Sequence, residues 1–576
     1  MLGLFFDEGL RRHKLMDKFG IIEILNEIAL LLQLKGDNPF KIRAYENGAR
    51  ILEFLDEDLE TLVQEKRLGK IKGIGQALEQ KIEELVTTGR LIFYEELKQE
   101  FPETLFDLFK VPGLGPKKVR VLYDELGITT LGELEYACLE NRLLILPGFG
   151  EKTQQNILKG IEGLKHYQSN FLYSEARIVA DEIVMGILNQ PGVTQAHVGG
   201  SLRRHKEVVK DIDILAASQW PVSLMDWFAD MEDVDTIIGK GETKTSIKLK
   251  NGMNVDLRVV SPEQYPYALQ HFTGSKEHNT KMRHIAKNQG LKMNEYGLFQ
   301  GEEETLIPCK DEAEIYRYIG MDYIPPELRE DRGEIEAAME GNLPKLVEPE
   351  DIKGVLHVHT NYSDGRATLK EMADEALRLG YRYIGISDHS QSAYYANGLT
   401  PDDIQKQHIE IDELNKAYKG DIRILKGIES DILPDGSLDY PDEILSTFDF
   451  VIASVHSGFS MDKEAMTERI LKALDNPYIT ILGHPTGRLL LSREGYPLDM
   501  DAVLERAAQK GVAIEINANP YRLDLDWRWC RRAKELGIKI AVCPDAHDLR
   551  SLGYITYGVG IARKGWLTAA DIFNCE

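Results

Sequence analysis

Cysteine, long apolar runs and a positive net charge are scarce or missing in this chain of 576 residues. Its five cysteines, at positions 138, 309, 530, 543 and 575, are odd in number and without CxxC spacing, which excludes a disulfide-built secreted domain and indicates reduced thiols. No run of 18 or more apolar residues is present, so no transmembrane helix is predicted. The first residues, MLGLFFDEGLRRHK, contain too short an apolar stretch for a secretory signal. We therefore expect a cytoplasmic protein.

An excess of basic residues is missing too, because the formal net charge is −25, which at first sight argues against a nucleic-acid partner. The charges are unevenly distributed, however. Residues 295–350 hold 16 Asp or Glu against 5 Lys or Arg and are expected to be a solvated connector between two halves. Residues 199–210 hold four basic side chains against one acidic, and residues 276–292 five against one. Since phosphate contacts depend on local patches, these two stretches are compatible with nucleic acid.

Seven apolar runs between residues 354 and 547 each end in a polar residue able to bind a metal ion or to hydrogen-bond. Helix-like stretches separate the runs, so the pattern predicts strand–helix units closing into a barrel, with its chemistry at the strand ends. His, Asp and Glu are ligands of Zn²⁺, Mn²⁺ and Fe²⁺, and a set this large suits two or three ions better than one. The nine candidate ligands are His357, His359, Asp364, His389, Glu429, His456, His484, Asp545 and His547.

The amino-terminal half begins with three copies of one element. KIKGIGQALEQKIEEL, VPGLGPKKVRVLYDEL and LPGFGEKTQQNILKGI each place G-x-G before an amphipathic helix. The glycines allow a tight turn, and the free N–H groups of the helix start favour an anion such as a DNA phosphate. One copy would indicate an ordinary helix–turn–helix corner, whereas three favour helix-hairpin-helix DNA binding. The glycine pairs are Gly73 and Gly75, Gly113 and Gly115, and Gly148 and Gly150.

A separate set of carboxylates follows a Gly-Gly turn. In GGSLRRHKEVVKDIDIL, Asp211 and Asp213 lie two residues apart on a predicted strand and therefore share a face. Two acids on one face repel each other unless cations lie between them. Asp256, in the strand-like run MNVDLRVV, supplies a third acid. Three carboxylates on adjoining strands can hold two Mg²⁺ ions for phosphoryl transfer.

Residues 350–570 resemble a PHP (polymerase and histidinol phosphatase) domain through HVHTNYSDG, SDHS, GIESDI, SVHSG, GHPTGR and PDAHD. The resemblance implies a distorted seven-stranded barrel, a trinuclear manganese- or zinc-type centre, and hydrolysis of phosphoesters. Metal ions gathered in one site activate water for attack on a phosphate. Arg488, in GHPTGR, could hold a substrate phosphate through its guanidinium, or instead pair with a nearby carboxylate.

Residues 16–335 resemble an X-family DNA polymerase of the DNA polymerase beta kind, through the G-x-G hairpins, GGSLRR, DID, VDLR, HFTGSKEHN and NEYGL. The resemblance implies that Asp211 and Asp213 bind both metal ions and that Asp256 is the base toward the primer 3′-hydroxyl. The implied nucleotide contacts are Ser201, Arg204, His271, Phe272, Gly274 and Asn279. The implied DNA contacts are Lys276, Arg283 and the hairpin glycines.

Three positions qualify this second resemblance. His271 replaces a tyrosine common in the family, so exclusion of ribonucleotides is not implied. His205 replaces a glycine, which is expected to alter the loop over the phosphates. Lys81 occupies the position of the family's lyase nucleophile, a lysine that forms a Schiff base with an abasic sugar. Its neighbourhood, QALEQKIEEL, is short of cations that would lower a lysine pKa, and simple phosphate contact is the alternative.

The length and a hydrophobic content of 43% predict three to five domains with ample cores. We predict amino-terminal α-helical helix-hairpin-helix domains, an α+β nucleotidyltransferase palm with a thumb, and a carboxy-terminal distorted (β/α)7 PHP barrel. The expected boundaries are 1–15 for a disordered extension, 16–98 for a lyase-like hairpin domain, 99–168 for the fingers, 169–262 for the palm, 263–325 for the thumb, 326–350 for an acidic, proline-containing linker and 351–576 for the PHP domain.

The sequence thus predicts a cytoplasmic, bacterial, nucleoid-associated repair enzyme, monomeric, that binds gapped or primed duplex DNA and deoxynucleoside triphosphates. The palm, with Mg²⁺ or Mn²⁺, would fill gaps by template-directed nucleotidyl transfer. The barrel, with two or three Mn²⁺, Zn²⁺ or Fe²⁺ ions, would act as a 3′→5′ exonuclease, with abasic-site or 3′-end cleaning also open. Alternatively, the barrel is a small-molecule phosphatase or pyrophosphatase or a structural metal scaffold, or the palm adds nucleotides without a template.

Overall fold

A computed structural model describes residues 18–53, 55, 57, 59–71, 73–165, 170–301 and 303–576. These residues form two compact units: the described residues up to Glu135 with Leu146–Ile161, and Tyr136–Ile145 with the residues from Glu162 onward. The expected extension 1–15 and the expected boundaries at 15/16 and 168/169 lie outside the described residues. None of the helices within these ranges combines the length and apolar content that crossing a membrane requires.

The first unit is helical. The helices that begin in it are α1 (Lys18–Lys35), α2 (Pro39–Glu53), α3 (Leu59–Gln64), α4 (Gln76–Thr88), α5 (Ile92–Gln99), α6 (Pro116–Leu126), α7 (Leu131–Leu139) and α8 (Glu151–Lys165). In α1, Ile21, Leu25, Ile28 and Leu32 recur at helical spacing and are all buried, so one face of the helix forms core. This agrees with the predicted α-helical hairpin domains, which are confirmed below by the family comparisons.

The palm is a five-stranded sheet in the second unit. Its strands are β2 (Val193–Val198), β4 (Asp211–Ser218), β5 (Val234–Lys240), β6 (Lys244–Leu249) and β7 (Asn254–Val260), and a separate short pair is β1 (Phe171–Leu172) with β3 (Val208–Val209). The order is β2-β4-β7-β6-β5, with β4 and β7 parallel and the other neighbours antiparallel. The register pairs Asp213 with Asp256. Three helices accompany the sheet: α9 (Tyr173–Leu188), α10 (Gly200–Arg203) and α11 (Pro221–Ala229).

The thumb region follows the palm. Its elements are α12 (Tyr265–Thr273), α13 (Lys276–Asn288), β8 (Leu291–Asn294), β9 (Gly297–Gln300), β10 (Thr305–Leu306), α14 (Glu312–Tyr318) and α15 (Glu334–Glu340). Strands β8, β9 and β10 form an antiparallel sheet in the order β10-β9-β8. Tyr267, Met282, Ile315 and Tyr316 are buried in the core that α12, α13 and α14 share.

The expectation of a solvated stretch is wrong for the middle of residues 295–350. Glu327, Arg329 and Glu334 are buried there. Each has a charged or polar partner: the carboxylate of Glu327 lies 2.7 Å from Arg563, Arg329 lies 2.5 Å from Glu312, and Glu334 lies 2.7 Å from Nδ1 of His278. Composition alone suggested exposure, but acids that have such partners can be buried.

The carboxy-terminal region is a seven-stranded parallel barrel. Its strands run in sequence order: β11 (Gly354–Val358), β12 (Tyr383–Ile386), β13 (Arg423–Asp431), β14 (Phe450–Ser454), β15 (Ile481–Leu482), β16 (Ala513–Asn517) and β17 (Ile540–Cys543). A parallel bridge between Val358 and Ala546 joins the last strand end to the first. Its helices are α16 (Leu369–Arg378), α17 (Pro401–Tyr418), α18 (Asp442–Leu445), α19 (Lys463–Leu474), α20 (Met500–Lys510), α21 (Trp527–Glu535) and α22 (Ile555–Lys564). The predicted distorted (β/α)7 barrel is confirmed.

Burial along the barrel strands explains their sequence. Every residue of β11, β14 and β16 is buried, as expected for parallel strands covered on both faces. The polar residues that end these runs therefore lie close together at the strand ends. The five cysteines form no disulfide, which agrees with the expectation of reduced thiols.

Candidate metal centres and DNA-binding elements

The strand ends of the barrel bring all nine predicted ligands into one cluster. Eight of the nine are buried and His456 is half-buried. They form four overlapping groups in which the potential ligand atoms lie within 4.8 Å of one another. The groups are His359, Asp364, His389 and His547; His357, His359 and Glu429; His357, His484 and Asp545; and His389, Glu429 and His456.

Glu429 lies at the centre of this cluster. Its Oε1 is 3.2 Å from Nε2 of His357, 3.2 Å from Nε2 of His456 and 3.1 Å from Nε2 of His484. Its Oε2 is 2.9 Å from Nδ1 of His389. A carboxylate whose two oxygens face different sets of imidazoles is suited to bridge two ions.

Burial and backbone geometry prepare several ligands. Burial, with His547 and His389 nearby, lowers the pKa of His359 to about 3, and burial lowers the pKa of His484 to about 4, so both imidazoles are neutral near pH 7. His357, His484 and Asp545 adopt positive φ angles of 61°, 23° and 51°. Such conformations are uncommon outside glycine and concentrate at functional sites.

Metal ions fit this cluster. Several of its buried polar atoms make no hydrogen bond to any described residue, which is costly for a polar group unless something else, such as an ion, satisfies it. These atoms are Nε2 of His357, both ring nitrogens of His359, Oδ2 of Asp364, Oε2 of Glu429, Nδ1 of His484 and Nε2 of His547. Imidazole nitrogens together with carboxylate oxygens are the donor set of zinc, manganese and iron sites.

A second layer of carboxylates orients the ligands. Oε1 of Glu515 lies 2.5 Å from Nδ1 of His357, and Oδ1 of Asp431 lies 2.6 Å from Nδ1 of His456. Metal-binding histidines usually direct their second nitrogen to such an acceptor. Neither acid is among the nine predicted ligands. Both were identifiable, because Asp431 follows Glu429 by two residues on β13 and Glu515 is the acid within the apolar run of β16.

Arg488 makes protein contacts with all three guanidinium nitrogens. Its Nη1 lies 2.7 Å from Asp526, its Nε donates to the carbonyl oxygen of Arg522 at 2.9 Å, and its Nη2 donates to the carbonyl oxygen of Leu523. This geometry matches the alternative in which Arg488 pairs with a nearby carboxylate. Phosphate binding by Arg488 stays a prediction. Arg522 lies nearer the cluster, with Nε 3.6 Å from Asp545.

The palm aspartates lie on neighbouring strands, as the sequence predicts. Asp211 is exposed, whereas Asp213 and Asp256 are half-buried. Burial, then the charges of Asp211 and Asp256, raise the pKa of Asp213 to about 6, so the three acids are electrostatically coupled. Nζ of Lys244 lies 2.5 Å from Oδ2 of Asp256. In the described part of the chain the close ligand groups all lie in the barrel, so the palm acids are spaced more widely.

Hydrogen bonds fix the loop that is predicted to bind the triphosphate. Gly199 donates from its N–H to the carbonyl oxygen of Asp213 at 2.7 Å, and a Cβ added to Gly200 would lie 2.1 Å from Oδ2 of Asp213, so this turn needs glycine. Nε of Arg204 donates to Glu330 at 3.0 Å and its Nη1 to the carbonyl oxygen of Thr273 at 2.8 Å. No side-chain partner of Ser201 is recorded among the described residues.

His205 shows how the loop accommodates the loss of the family glycine. Its φ is 52°, the left-handed conformation that glycine adopts most readily. The ring stacks on Tyr173 at 4.6 Å, and Nε2 lies 3.1 Å from the Tyr173 hydroxyl. His205 thus adopts a conformation typical of glycine while its side chain packs against Tyr173, and an altered loop over the phosphates stays a prediction.

The turn after α12 gathers the other predicted nucleotide contacts. His271 and Phe272 pack edge to face at 5.0 Å, and the side-chain amide of Asn279 donates to the carbonyl oxygens of His271 and Gly274. A contact missed from the sequence is Arg258, whose guanidinium lies 4.3 Å from the Phe272 ring. It could have been found, because it follows Asp256 by two residues on β7. The predicted DNA contacts Lys276 and Arg283 are exposed on α13.

The hairpin glycines of the first unit present open faces. Gly73, Gly113 and Gly148 have φ angles of 104°, 85° and 84°. Their partners Gly75, Gly115 and Gly150 immediately precede α4, α6 and α8. Except at Gly73, a Cβ added at these positions would meet no atom within 4 Å, so a phosphate could approach the backbone there.

Lys81, on α4, has a cationic neighbour that its local sequence did not reveal. Its Nζ lies 4.9 Å from the centre of the Phe93 ring, and Nζ of Lys41 lies 5.2 Å from the same centre. Tyr45 stacks on Phe93 at 6.2 Å. The Phe93 ring thus makes cation–π contacts with both ammonium groups.

A relative spans almost the whole molecule. A DNA polymerase/3′-5′ exonuclease PolX of Bacillus subtilis is 39% identical over 563 residues, which are 97% of this chain and 98% of the relative. The chain belongs to the PolX family. Family models agree: a helix-hairpin-helix domain matches residues 16–91, a SAM-like helix-hairpin-helix tandem 105–162, a DNA polymerase beta thumb 268–330 and a PHP domain 356–519. Both predicted resemblances are confirmed.

Other relatives match a smaller part of this PolX-family chain. A probable phosphatase of Thermoanaerobacter sp. is 31% identical over 245 residues, 39% of this chain and 92% of the relative. A probable phosphatase of Caldanaerobacter subterraneus is 34% identical over 215 residues, 34% of this chain and 77% of the relative.

Proposed function

We propose that this PolX-family protein is a DNA repair enzyme that fills short gaps and trims 3′ ends. Template-directed nucleotidyl transfer takes place at the palm, and 3′→5′ hydrolysis of phosphodiesters at the barrel. The observation that carries the proposal is the presence of two separate ligand sets, the palm aspartates and the nine-residue barrel cluster, in one chain related over 97% of its length to a polymerase/exonuclease.

In the palm, Asp211 and Asp213 would hold two divalent ions, which neutralise the charge of the transferred phosphate. Asp256 faces Asp213 across the β4–β7 pair and is placed to accept the proton of the primer 3′-hydroxyl. Arg204 and Ser201 would bind the triphosphate, Phe272 and Gly274 the sugar, and Asn279 the base pair. His271 and Phe272 would line the position of a ribose 2′-hydroxyl, where ribonucleotides would be distinguished from deoxyribonucleotides.

In the barrel, ions held by the nine ligands would supply an activated water and a clamp for the phosphate. The protein's own contribution is a largely buried set of imidazoles and carboxylates, in which Glu515 and Asp431 orient two of the imidazoles. A frayed or damaged 3′ end is cheaper to extrude into such a site than a paired one. Abasic-site and other 3′-end cleaning follow from the same geometry.

The cofactors and partners follow from these sites. We propose Mg²⁺ or Mn²⁺ in the palm and two or three Mn²⁺, Zn²⁺ or Fe²⁺ ions in the barrel. The substrates are gapped or primed duplex DNA and deoxynucleoside triphosphates, which the hairpin glycines, Lys276 and Arg283 would contact. We propose a monomer that works in the bacterial cytoplasm at the nucleoid.

One experiment separates the two activities. A labelled gapped duplex is incubated with Mg²⁺ or Mn²⁺, with and without nucleotides, using the wild type, Asp211→Ala and His359→Ala. Asp211→Ala is expected to abolish extension and to leave shortening intact, and His359→Ala to do the reverse. Glu303→Ala, a change of an exposed acid outside both sites, is the matched control. Shortening that persists in His359→Ala would remove the exonuclease assignment.

A second candidate function of the barrel is small-molecule phosphatase or pyrophosphatase activity. The probable phosphatases that match part of the chain favour it. Inorganic pyrophosphate and a simple phosphate monoester are the probes. Release of phosphate from these, lost in His359→Ala and without any shortening of DNA, would establish the second candidate in place of the first.

A lyase activity is proposed for the first unit, with Lys81 as the nucleophile and Lys41 as a second amine beside the same Phe93 ring. Borohydride reduction in the presence of DNA with a 5′ abasic sugar should trap a covalent complex in the wild type. The complex should be absent in Lys81→Ala. Trapping at wild-type level in Lys81→Ala would leave Lys81 with phosphate contact only.

A further inference from the structure

Three histidines of the barrel cluster follow one pattern. His357 and His456 each direct Nε2 toward Glu429 and Nδ1 toward a second acid, Glu515 or Asp431. In both cases that acid belongs to a barrel strand. The second acid fixes the orientation and tautomer of the ring, so that the other nitrogen faces the ion.

His547 has the same arrangement, but its second acid comes from far away in the sequence. Nε2 of His547 lies 3.4 Å from Asp364, a member of the same ligand group. Nδ1 lies 2.5 Å from Oε2 of Glu140 and, less closely, 3.1 Å from the carbonyl oxygen of Asp545. Glu140 follows directly after α7, about 200 residues before the barrel begins, and lies within the range matched by the helix-hairpin-helix tandem. It is nevertheless buried, with only 7% of its surface exposed.

The segment around Glu140 is anchored at both ends. Residues 136–145 belong to the second compact unit and contact the barrel. Before Glu140, the guanidinium of Arg522 lies 5.0 Å from the Tyr136 ring and donates to the Tyr136 hydroxyl at 3.3 Å. After it, Arg366 donates to the side-chain oxygen of Asn141 at 2.6 Å. Glu140 is therefore held in place by contacts other than its own.

We infer that Glu140 is a positioning residue of the barrel metal centre and orients His547 toward the ion held with His359, Asp364 and His389. The segment 136–145 then completes the hydrolytic site, although it precedes the palm in the sequence. The inference rests on the metal centre proposed above. It explains why an acid in a DNA-binding repeat is buried against an imidazole.

The test measures metal binding by the full-length protein with Mn²⁺ alone and Zn²⁺ alone. The chelator-treated wild type, Glu140→Ala and Glu140→Gln are titrated with each ion, and the bound metal is counted by elemental analysis. Loss of an outer-layer acceptor lowers metal affinity by about 10- to 100-fold. Glu140→Ala should show this loss for one ion and leave the others unchanged. Glu140→Gln retains an oxygen acceptor and should recover part of it.

Three comparisons make the result decisive. Glu125→Ala, an exposed acid on α6, should bind metal like the wild type. Asp431→Ala should weaken a different ion. The unfolding temperature in chelator and the rate of primer extension should be the same for Glu140→Gln and the wild type. Unchanged metal affinity in both Glu140 variants overturns the inference, and so does a loss that is matched by lower stability in chelator.

Failure of the inference and failure of the proposed function give different results. If the wild type binds the ions and shortens no DNA, the exonuclease proposal fails while the role of Glu140 in binding is still decided by the titration. If the wild type shortens DNA and Glu140→Ala binds every ion normally, only the inference fails.

Discussion

The two candidate metal sites of this molecule differ in how completely their side chains are gathered and buried before any ion binds. In the barrel, nine side chains are almost all buried, and several of their atoms make no hydrogen bond. In the palm, three more widely spaced acids are partly exposed, and Lys244 already pairs with Asp256. Burial without partners is costly, whereas exposed acids are satisfied by water. From this comparison we expect resident ions in the barrel and ions that arrive with the triphosphate in the palm.

The largest expected effect is a separation of the two activities by chelation. After prolonged dialysis against a chelator and return to Mg²⁺ alone, primer extension should recover fully and shortening of DNA should not. Shortening should return only when Mn²⁺, Zn²⁺ or Fe²⁺ is added, because the buried imidazoles prefer these ions to Mg²⁺. Elemental analysis before and after dialysis gives the retained metal. Immediate recovery of both activities in Mg²⁺ would contradict the difference between the sites.

The stability of the protein should follow the same division. The metal-free barrel contains orphaned buried atoms, so its unfolding transition should fall in temperature when the ions are removed. The transition of the helical first unit, to which none of the nine ligands belongs, should not move. Calorimetry of the full chain with and without chelator measures both. His359→Ala, already unable to hold one ion group, serves as the control that responds less to chelation.

Most of the barrel could be predicted from sequence because its signals are local. Each strand is an apolar run that ends in a ligand, so periodicity and residue type together located His357, Glu429 and Asp545. The strand order also follows from the repeat, since β11 to β17 are consecutive. The pairing of Asp211 and Asp213 on one face could be predicted equally well, because a strand places alternate residues on the same face.

What could not be predicted depends on contacts between distant segments. Glu140 reaches His547 across about 400 residues, and no local pattern marks it. The acidic composition around Glu334 suggested that this side chain is exposed. Its carboxylate is instead buried in the core, 2.7 Å from Nδ1 of His278. Lys244 pairs with Asp256 because the antiparallel register of β6 and β7 brings the two side chains together. The turn residues between these strands did not predict that register.

A network of buried charges that needs no metal joins the palm and the thumb. Breaking it should have a smaller effect than chelation but should still remove a large part of the free energy of unfolding. Glu312 lies 2.7 Å from Arg203 and 2.5 Å from Arg329, all largely buried. Glu312→Gln leaves two cations without their acid, which typically costs about 3–5 kcal/mol of unfolding free energy. Denaturant unfolding measures it. Glu303→Gln, at an exposed position, should change stability by less than about 0.5 kcal/mol.

The pH dependence of that loss has a defined sign. Burial opposes the charge of Glu312, but Arg329 and Arg203 outweigh it and lower the pKa from 4.5 to about 2. The carboxylate therefore stabilises the fold above its unfolded value of 4.5, and this contribution is lost as the pH falls toward about 2. The stability difference between wild type and Glu312→Gln should be constant above pH 5 and should narrow below about 4.5. A difference that widens in acid would contradict the network.

A smaller effect is expected where the barrel supports the palm. Nζ of Lys564, on α22, donates to the carbonyl oxygen of Arg204 and lies 2.8 Å from Glu330, which also binds Arg204. Lys564→Met should raise the KM for deoxynucleoside triphosphates by about two- to tenfold, the worth of one hydrogen bond, with little change in shortening. Lys539→Met, a more exposed lysine of the same region, is the control.

The pH profile distinguishes positioning from packing at Lys564. Burial lowers its pKa from 10.5 to about 8, despite the nearby Glu330. The ammonium group is present below about 8 and is lost above it, so the wild-type KM should rise toward that of Lys564→Met as the pH increases past 8. A constant ratio of the two KM values from pH 7 to 9 would show that only packing is lost.

The smallest expected effect tests the palm side of the comparison directly. Nζ of Lys244 lies 2.5 Å from Asp256, and both side chains are partly exposed, so the pair contributes about 0.2–1 kcal/mol. Lys244 would take the place of a metal ion when no nucleotide is bound. In that case Lys244→Ala should lower the Mg²⁺ concentration for half-maximal extension, by about fivefold at most, and should leave the ions bound in the barrel unchanged. Lys248→Ala, on the same strand opposite Asn254, should have no such effect. A higher Mg²⁺ requirement in Lys244→Ala would mean that Lys244 works with the ions instead of standing in for them, and the palm would then resemble the barrel in being formed before its substrate arrives.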